Sequence, residues 1–384
     1  MNNKNVKRVI HVVSDMHRGG AETMIMNLYR NIDRSKLQFD FICHYRKDDT
    51  NSLNKNVDYY DEINQLGGRI FKIPSLGTSN PIEYMKNIKN ILNQNGPFEA
   101  VHVHTNKQAG FALLATRLSK VRNRIIHSHI TEWNYRNKIY STILKNLIKI
   151  NSTKYCACGE EAAINAFGEK EFKNGKVFLL NNAIEVDNFI NVEYESVEKI
   201  REEFNINNED TIIGHVGRFD TQKNHKFIIE LAKRFKSNKR NFIMLLAGNG
   251  AIKNEIEELV NKDGLSENIK FIGVRKDINL LMSMIDVFIL PSLFEGLPLV
   301  GIEAQAAGTK CIISDTVTSE IDMGLGLMTQ LPITSESIES WEEEIFNKNI
   351  IKIEKNKILE ALTVRGYNVK TNVDKLYKLY GLKD

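Results

Sequence analysis

Asp286-Val-Phe-Ile-Leu290-Pro-Ser-Leu-Phe-Glu295-Gly296-Leu-Pro298-Leu-Val-Gly-Ile-Glu303-Ala-Gln-Ala-Ala-Gly308 is the stretch whose reading decides how this chain folds. The apolar run from Asp286 to Leu290 has the length and composition of a buried strand. A turn containing Glu295, Gly296 and Pro298 follows. From Leu299 the pattern becomes helical, and it stops near Gly308. A strand, a glycine turn and a helix in that order present a helix N-terminus to an anion in doubly wound α/β domains. Glu295 falls in the turn, and Glu303 lies two helical turns further along the helix wall. Carboxylates accept hydrogen bonds from hydroxyls, so the pair suits a ligand with a phosphate and several OH groups. A nucleotide-sugar is such a ligand.

The same alternation runs through the whole chain. Strands are expected near 7–13, 38–43, 69–73, 99–104, 124–129, 153–157 and 176–181. A second series is expected near 211–217, 241–247, 269–273, 286–290, 310–314 and 326–329. Helical patterns fall between most of them, which predicts parallel sheets with helices on both faces. A length of 384 residues suits two domains rather than one. The acidic segment 185–210 reads as their separator. The expected division is 1–187 for the first domain, 188–365 for the second, and 366–384 as an amphipathic helix crossing back to the first.

Composition narrows the function classes. Hydrophobic residues make up 42% and charged residues 26%, as in an ordinary globular protein. No stretch approaches the roughly 20 apolar residues needed to span a bilayer. Residues 1–6 are polar and show no signal peptide, so a cytoplasmic protein is expected. The four cysteines, Cys43, Cys156, Cys158 and Cys311, match neither a disulfide framework nor a zinc-finger spacing. Net charge is +4 overall, with the basic excess in residues 1–185 and an acidic excess after them. A basic first half suits an anionic membrane face or a phosphorylated acceptor. The segment 133–155 adds Arg136, Lys138, Lys145, Lys149 and Lys154 beside an apolar stripe, a candidate peripheral membrane contact. No nucleic-acid partner is expected.

Other chemistry-bearing positions also fall at strand ends, where ligands bind in this architecture. Arg18-Gly19-Gly20-Ala21-Glu22 follows the first strand. It is not G-x-G-x-x-G, and no acidic residue follows at dinucleotide spacing, which disfavours NAD. Gly217-Arg218 ends a later strand, with Lys223 at the next helix start. Arg218 and Lys223 suit a diphosphate, one as a fork and one as a point charge. Ala247-Gly248-Asn249-Gly250 and Phe271-Ile272-Gly273-Val274-Arg275 are two more such ends. His102-Val103-His104 and His127-Ser128-His129 end adjacent strands. They suit either a metal or sugar hydroxyls; the metal is disfavoured because no carboxylate or cysteine joins their spacing. D-x-D, the usual short metal–diphosphate motif, is absent, so no metal site is expected.

Taken together these residues resemble the family-four retaining glycosyltransferases of the GT-B fold, over nearly the whole chain. The opening half is similar to the bacterial exopolysaccharide and capsule subset. The resemblance implies two Rossmann-like parallel-sheet domains facing a cleft. It implies that Arg218 and Lys223 hold the donor diphosphate, that Glu303 accepts the ribose hydroxyls, and that Glu295 contacts the transferred sugar. It further places the backbone of Gly296, Leu297, Pro298, Leu299 and Val300 on the sugar and phosphate, and Gly273, Val274 and Arg275 at the base. Gly19, Gly20, Gly217, Gly248 and Asn249 complete the donor-binding set, and His129 aligns with a sugar-contacting histidine. The implied reaction moves a hexose or N-acetylhexosamine from a nucleoside-diphosphate sugar, UDP by the habit of the group, to a hydroxyl of a lipid-linked or oligosaccharide acceptor at the inner membrane face. No cofactor and no metal are expected. Two departures are visible: Leu180-Asn181-Asn182-Ala183-Ile184-Glu185 stands where many members read Pro-Asn-Gly-Ile-Asp, and position 107 is lysine. Two other readings stay open, a nucleotide-sugar epimerase and a catalytically silent sugar-nucleotide-binding partner of an assembly complex.

Overall fold

A computed structural model describes residues 6–48, 57–106, 108–129, 138–349 and 352–382. Two compact units account for it: 1–183 together with 369–384, and 184–368.

The first unit is a parallel sheet of β1 (Lys7–Val13), β2 (Leu37–Tyr45), β3 (Ile70–Pro74), β4 (Ala100–Val103), β5 (Asn123–Ser128), β6 (Lys154–Ala157) and β7 (Val177–Leu179), in the order β3-β2-β1-β4-β5-β6-β7. The second contains β8 (Thr211–Val216), β9 (Phe242–Ala247), β10 (Ile269–Gly273), β11 (Val287–Leu290), β12 (Lys310–Ser314) and β13 (Met328–Leu331), in the order β10-β9-β8-β11-β12-β13. Both sheets are doubly wound. The strand order reverses between β1 and β4, and again between β8 and β11, the points where such sheets bind ligands. Strand sequences explain the burial. Phe242-Ile-Met-Leu-Leu-Ala247 is buried along its whole length, as expected when helices cover both faces.

Each sheet therefore carries two apolar layers. In the first unit one layer joins Phe39 and Phe41 to Leu376, Leu379 and Tyr380 of the C-terminal helix Val369–Tyr380. The other collects Ile10, Ile42, Val101 and Ile126. In the second unit Leu281, Phe288 and Ile302 lie on one face, and Leu246, Phe235 and Trp341 on the other.

Two expectations require correction. The domain boundary at 187/188 falls inside a helix, Val186–Ile190, whose Val186 and Phe189 are buried in the second unit. The chain therefore changes unit at 183/184, where the Ile184 N–H donates to the Tyr367 carbonyl at 2.9 Å. Tyr367 is buried in that same core, so the second unit extends to 368, not 365. The acidic separator is also structured. It forms Val186–Ile190 and Tyr194–Glu203, and the latter buries Ile200 while its glutamates stay on the outer face. Arg136 and Lys107 lie outside the described residues.

Candidate functional site

The loops after β8 and β11 converge on Glu295. Lys223 lies in a 3-10 turn, Thr221–Lys223, capped by the Asp220 side chain, which accepts from the Lys223 N–H at 3.2 Å. Its Nζ donates to Glu295 Oε1 at 2.6 Å. Ser292 Oγ donates to the same oxygen at 2.7 Å, and Gln222 Nε2 to Oε2 at 3.1 Å. The Gln222 carbonyl accepts from the Leu293 N–H at 2.8 Å, which ties the two loops together through the backbone. Lys223 is only 14% exposed and Glu295 9%. Three donors thus fix the carboxylate of Glu295, while the Lys223 ammonium keeps two further N–H groups for a second anion. Arg218 stands 75% exposed, and only its Nε is tied, to Asp220 at 2.9 Å. The two terminal nitrogens of its fork remain free of partners among the described residues.

Glu303 sits on the helix Leu299–Ala306, whose N-terminus follows Pro298. The residue is partly buried, and its carboxyl has no hydrogen-bond partner among the described residues. Burial alone pushes it up from 4.5 to about 7. A half-desolvated, unpartnered acceptor is suited to a pair of hydroxyl donors. Gly296 has nothing within 4 Å of where a Cβ would stand, so the space over this turn is open.

The glycines after β8 and β9 have a different reason. Gly248 has φ +137°, and a Cβ there would fall 1.9 Å from the Gly217 carbonyl oxygen. Gly250 would meet the Phe219 oxygen at 2.2 Å. These residues let the β8 and β9 loops touch backbone to backbone, with the Gly217 N–H on the Ala247 carbonyl at 3.0 Å and the Phe219 N–H on the Asn249 carbonyl at 3.0 Å. The close approach is required by the fold whatever is bound. Gly273 has φ +67° and open space beside it. Val274 is 63% exposed. The Arg275 side chain is committed elsewhere: its guanidinium forks onto Glu203 and Asp277 at 2.7–3.2 Å and lies over Phe204. Of this trio, Val274 is exposed and Gly273 has its carbonyl held by the Gly248 N–H at 2.7 Å, while the arginine fork serves the segment 194–204.

In the first unit the histidines gather at the carboxyl ends of β1, β4 and β5. His102 and His127 are buried, and His104 and His129 are partly accessible. His11 of β1, register partner of His102, joins them. His11 Nδ1 lies 3.0 Å from His104 Nε2, and His104 Nδ1 lies 2.8 Å from His129 Nε2. Burial holds every one of these imidazoles far down, His11 to about 3 and His129 to about 4, so all are neutral at pH 7. Gly20 opens the helix Gly20–Asn31 behind β1, with Gly19 as its extended N-cap.

Sequence reading missed Ser292 and Gln222 as partners of Glu295, and His11 and Cys156 as neighbours of the histidine pairs. Ser292 stands three residues before Glu295 and Gln222 one before Lys223, so strand-end position was the available signal. His11 and Cys156 come from other strands, and only register reveals them.

Known proteins point the same way. A model described as Glycosyltransferase Family 4 matches residues 18–188, and one described as Glycosyl transferases group 1 matches 196–345. The putative glycosyltransferase EpsF of Bacillus subtilis (strain 168) is 43% identical over 99% of this chain and 98% of its own length. The Escherichia coli UDP-Gal:alpha-D-GlcNAc-diphosphoundecaprenol alpha-1,3-galactosyltransferase is 24% identical over 94% of this chain and 96% of its own. The crystal structure of Anabaena HepE with UDP and glucose superposes with a TM-score of 0.74 at 16% identity, covering 98% of this chain and 99% of that one, which shows the shared fold. This chain belongs to the family-four-like glycosyltransferases of the GT-B fold that serve polysaccharide biosynthesis.

Proposed function

We propose that the chain transfers a hexose or N-acetylhexosamine from a UDP-sugar to a hydroxyl of a lipid-linked polysaccharide intermediate, with retention at the anomeric carbon. One observation carries this reading. Glu295 is fixed by Lys223, Ser292 and Gln222 beside the β8/β11 switch point, and an unpartnered Glu303 lines the helix that follows.

In this reading Glu303 accepts the ribose hydroxyls. Lys223 and Arg218 take the diphosphate and stabilise it as it departs, a role for preorganised charge rather than for a nucleophile. Glu295, held in place by its three donors, contacts the transferred sugar. With Glu303 engaged on ribose, neither carboxylate is free to form a glycosyl-enzyme intermediate of the kind that retaining glycosidases use. Front-face substitution, with the leaving phosphate taking the acceptor proton, fits these roles. The two basic side chains supply the positive charge on the diphosphate, so no divalent ion is needed there. UDP and a lipid-linked acceptor are supported by the E. coli relative, whose name specifies both, and UDP also by HepE, solved with it.

A membrane contact is supported by the helix Lys138–Asn151. Ile143 is 51% and Ile150 64% exposed, and Lys145 and Lys149 on the same helix are exposed as well. Apolar side chains among lysines suit an anionic bilayer face.

The test is transfer from UDP-, GDP- and ADP-sugars to an undecaprenyl-diphosphate-linked sugar, with EDTA present. NMR of the product linkage reports the anomeric configuration. Turnover with one UDP-sugar and an α linkage from an α donor is expected, lost in Lys223→Ala. An inverted product, or activity that EDTA abolishes and Mg2+ or Mn2+ restores, overturns the mechanism.

A further inference from the structure

The histidine cluster of the first unit contains more lone pairs than its hydrogen bonds use. Five buried ring nitrogens have no partner among the described residues: Nε2 of His11, Nε2 of His102, both nitrogens of His127, and Nδ1 of His129. A buried polar atom left unpaired loses its hydration without a compensating hydrogen bond, which destabilises the fold. His127 is fully buried and leaves both of its nitrogens unpaired. Packing does not explain this, since an apolar residue of similar volume would fill the place without that cost. The rings are also close to one another, His127 and His129 with centroids 4.1 Å apart and His104 and His127 5.2 Å apart.

We propose that His104, His127 and His129 together hold one divalent transition-metal ion of the class that prefers imidazole, Zn2+ or Co2+ being the simplest probes. One nitrogen from each of the three lies within 4.8 Å of those of the other two. Three imidazoles with a further position left open is a common zinc arrangement. The neutral rings already carry the lone pairs that a metal needs. No carboxylate enters the group, which selects against Mg2+, Ca2+ and Mn2+. His104 Nδ1 and His129 Nε2 now share a hydrogen bond at 2.8 Å; the ion displaces that proton, and the two rings move apart to the spacing of ligands about 2.0–2.1 Å from the metal. His104 then donates through Nε2–H to His11 Nδ1, at 3.0 Å, which fixes its tautomer and ring orientation.

A second trio, His102, His127 and Cys156, is equally close but wholly buried. His104 and His129 are partly accessible and give an entry route, which favours the first. Cys156 nonetheless removes the sequence-based objection that no cysteine stands near the pairs. The ion is separate from the diphosphate chemistry assigned to Lys223 and Arg218.

The test uses tag-free, full-length protein treated with chelator and dialysed. Zn2+ is titrated calorimetrically, and Co2+ by its visible d–d absorption, with Mg2+ and Mn2+ as controls. One equivalent of Zn2+ and of Co2+ is expected, with no saturable Mg2+ or Mn2+ binding. His129→Ala and His104→Gln change accessible side chains, and thermal unfolding verifies their fold. Loss of binding, or at least a tenfold weakening, in either folded variant supports the site, and His11→Phe is expected to weaken it about 10-fold through lost orientation. Absence of saturable binding, which would leave water as the occupant of the cluster, overturns the proposal. So does one-equivalent binding that both variants retain. No donor or acceptor enters the measurement, so its failure leaves the transferase reading untouched.

Discussion

Glu303 costs the free protein stability above neutral pH, at a helix position that alanine would suit better. Its carboxyl is raised by burial from 4.5 to about 7. The folded chain therefore holds that proton more tightly than the unfolded chain, and stability falls as pH rises from about 4.5 through 7. Glu303→Gln is expected to melt above the parent at pH 8, by on the order of 1–3 kcal/mol, and with the parent at pH 4.5. The same change removes an anionic acceptor for two hydroxyls. Donor affinity should fall roughly 10- to 100-fold at pH 8, the magnitude of hydrogen bonds to a charged group. In the parent, donor binding should weaken as pH drops below about 7, and in the variant it should not. Calorimetric titration with a UDP-sugar, whose diphosphate is esterified at both ends and does not titrate in this range, across pH 5.5–8.5 checks both. Equal affinity in the two proteins at pH 8 would remove Glu303 from the site. Gly296 gives a second residue-scale contrast. Alanine there meets nothing within 4 Å, so Gly296→Ala should unfold within about 0.5 kcal/mol of the parent. Transfer should nevertheless drop, because the methyl intrudes where a ligand approaches the turn. Full activity in a stable Gly296→Ala protein would argue that nothing binds over that turn.

At the scale of elements, the β8 and β9 loops form one unit, and Gly248 is its joint. Gly248→Ala places a methyl 1.9 Å from the Gly217 oxygen at φ +137°, so backbone must move. The expected loss is about 1–3 kcal/mol of stability, from strain at a left-handed position, and a displaced Arg218 turn. Urea unfolding beside Gly296→Ala would separate the structural glycine from the ligand-facing one; equal stability in the two would contradict the distinction. Sequence reading treated these glycines alike, since G-x-G after a strand does not reveal which backbone approaches it. Strands were legible because both faces are covered and their sequences run apolar without interruption. Tyr194–Glu203 was read as a separator because one buried residue, Ile200, is a weak periodic signal among glutamates. Arg275 was read as a base contact, since nothing local shows that Glu203, 72 residues away, takes its fork. Residues near each other in sequence, such as Glu295 with Ser292, were within reach of pattern reading. Partners supplied by distant strands, such as His11 and Cys156, were not, because they depend on register.

On the scale of the whole molecule, the first unit is built from two separated segments, 1–183 and 369–384. The helix Val369–Tyr380 covers one face of the first sheet with Val369, Val373, Leu376, Leu379 and Tyr380. Its last turn also reaches the histidine layer: Tyr380 Oη lies 2.9 Å from His102 Nδ1. Asn372 Nδ2 donates to the Asn181 carbonyl at 2.9 Å, and Asn123 Nδ2 to the Tyr380 carbonyl at 3.1 Å, so the helix is also held by the backbone of the unit it completes. The first unit therefore depends on contacts between segments far apart in sequence, such as Phe39 and Phe41 with Leu376 and Tyr380, a long-range closure. Leu376 is fully buried in this layer. Leu376→Ala is expected to cost about 2–5 kcal/mol, the range for deleting a buried leucine side chain. The loss should fall on one unit. Hydrogen exchange should accelerate in β1 and β2, which lie under the helix, and stay near the parent rate in β8 and β9, whose core has no residue from it. UDP binding by the second unit should survive at temperatures where the first has begun to open. Equal acceleration in all four strands would mean instead that the two units unfold as a single cooperative body, and that the C-terminal helix stabilises both.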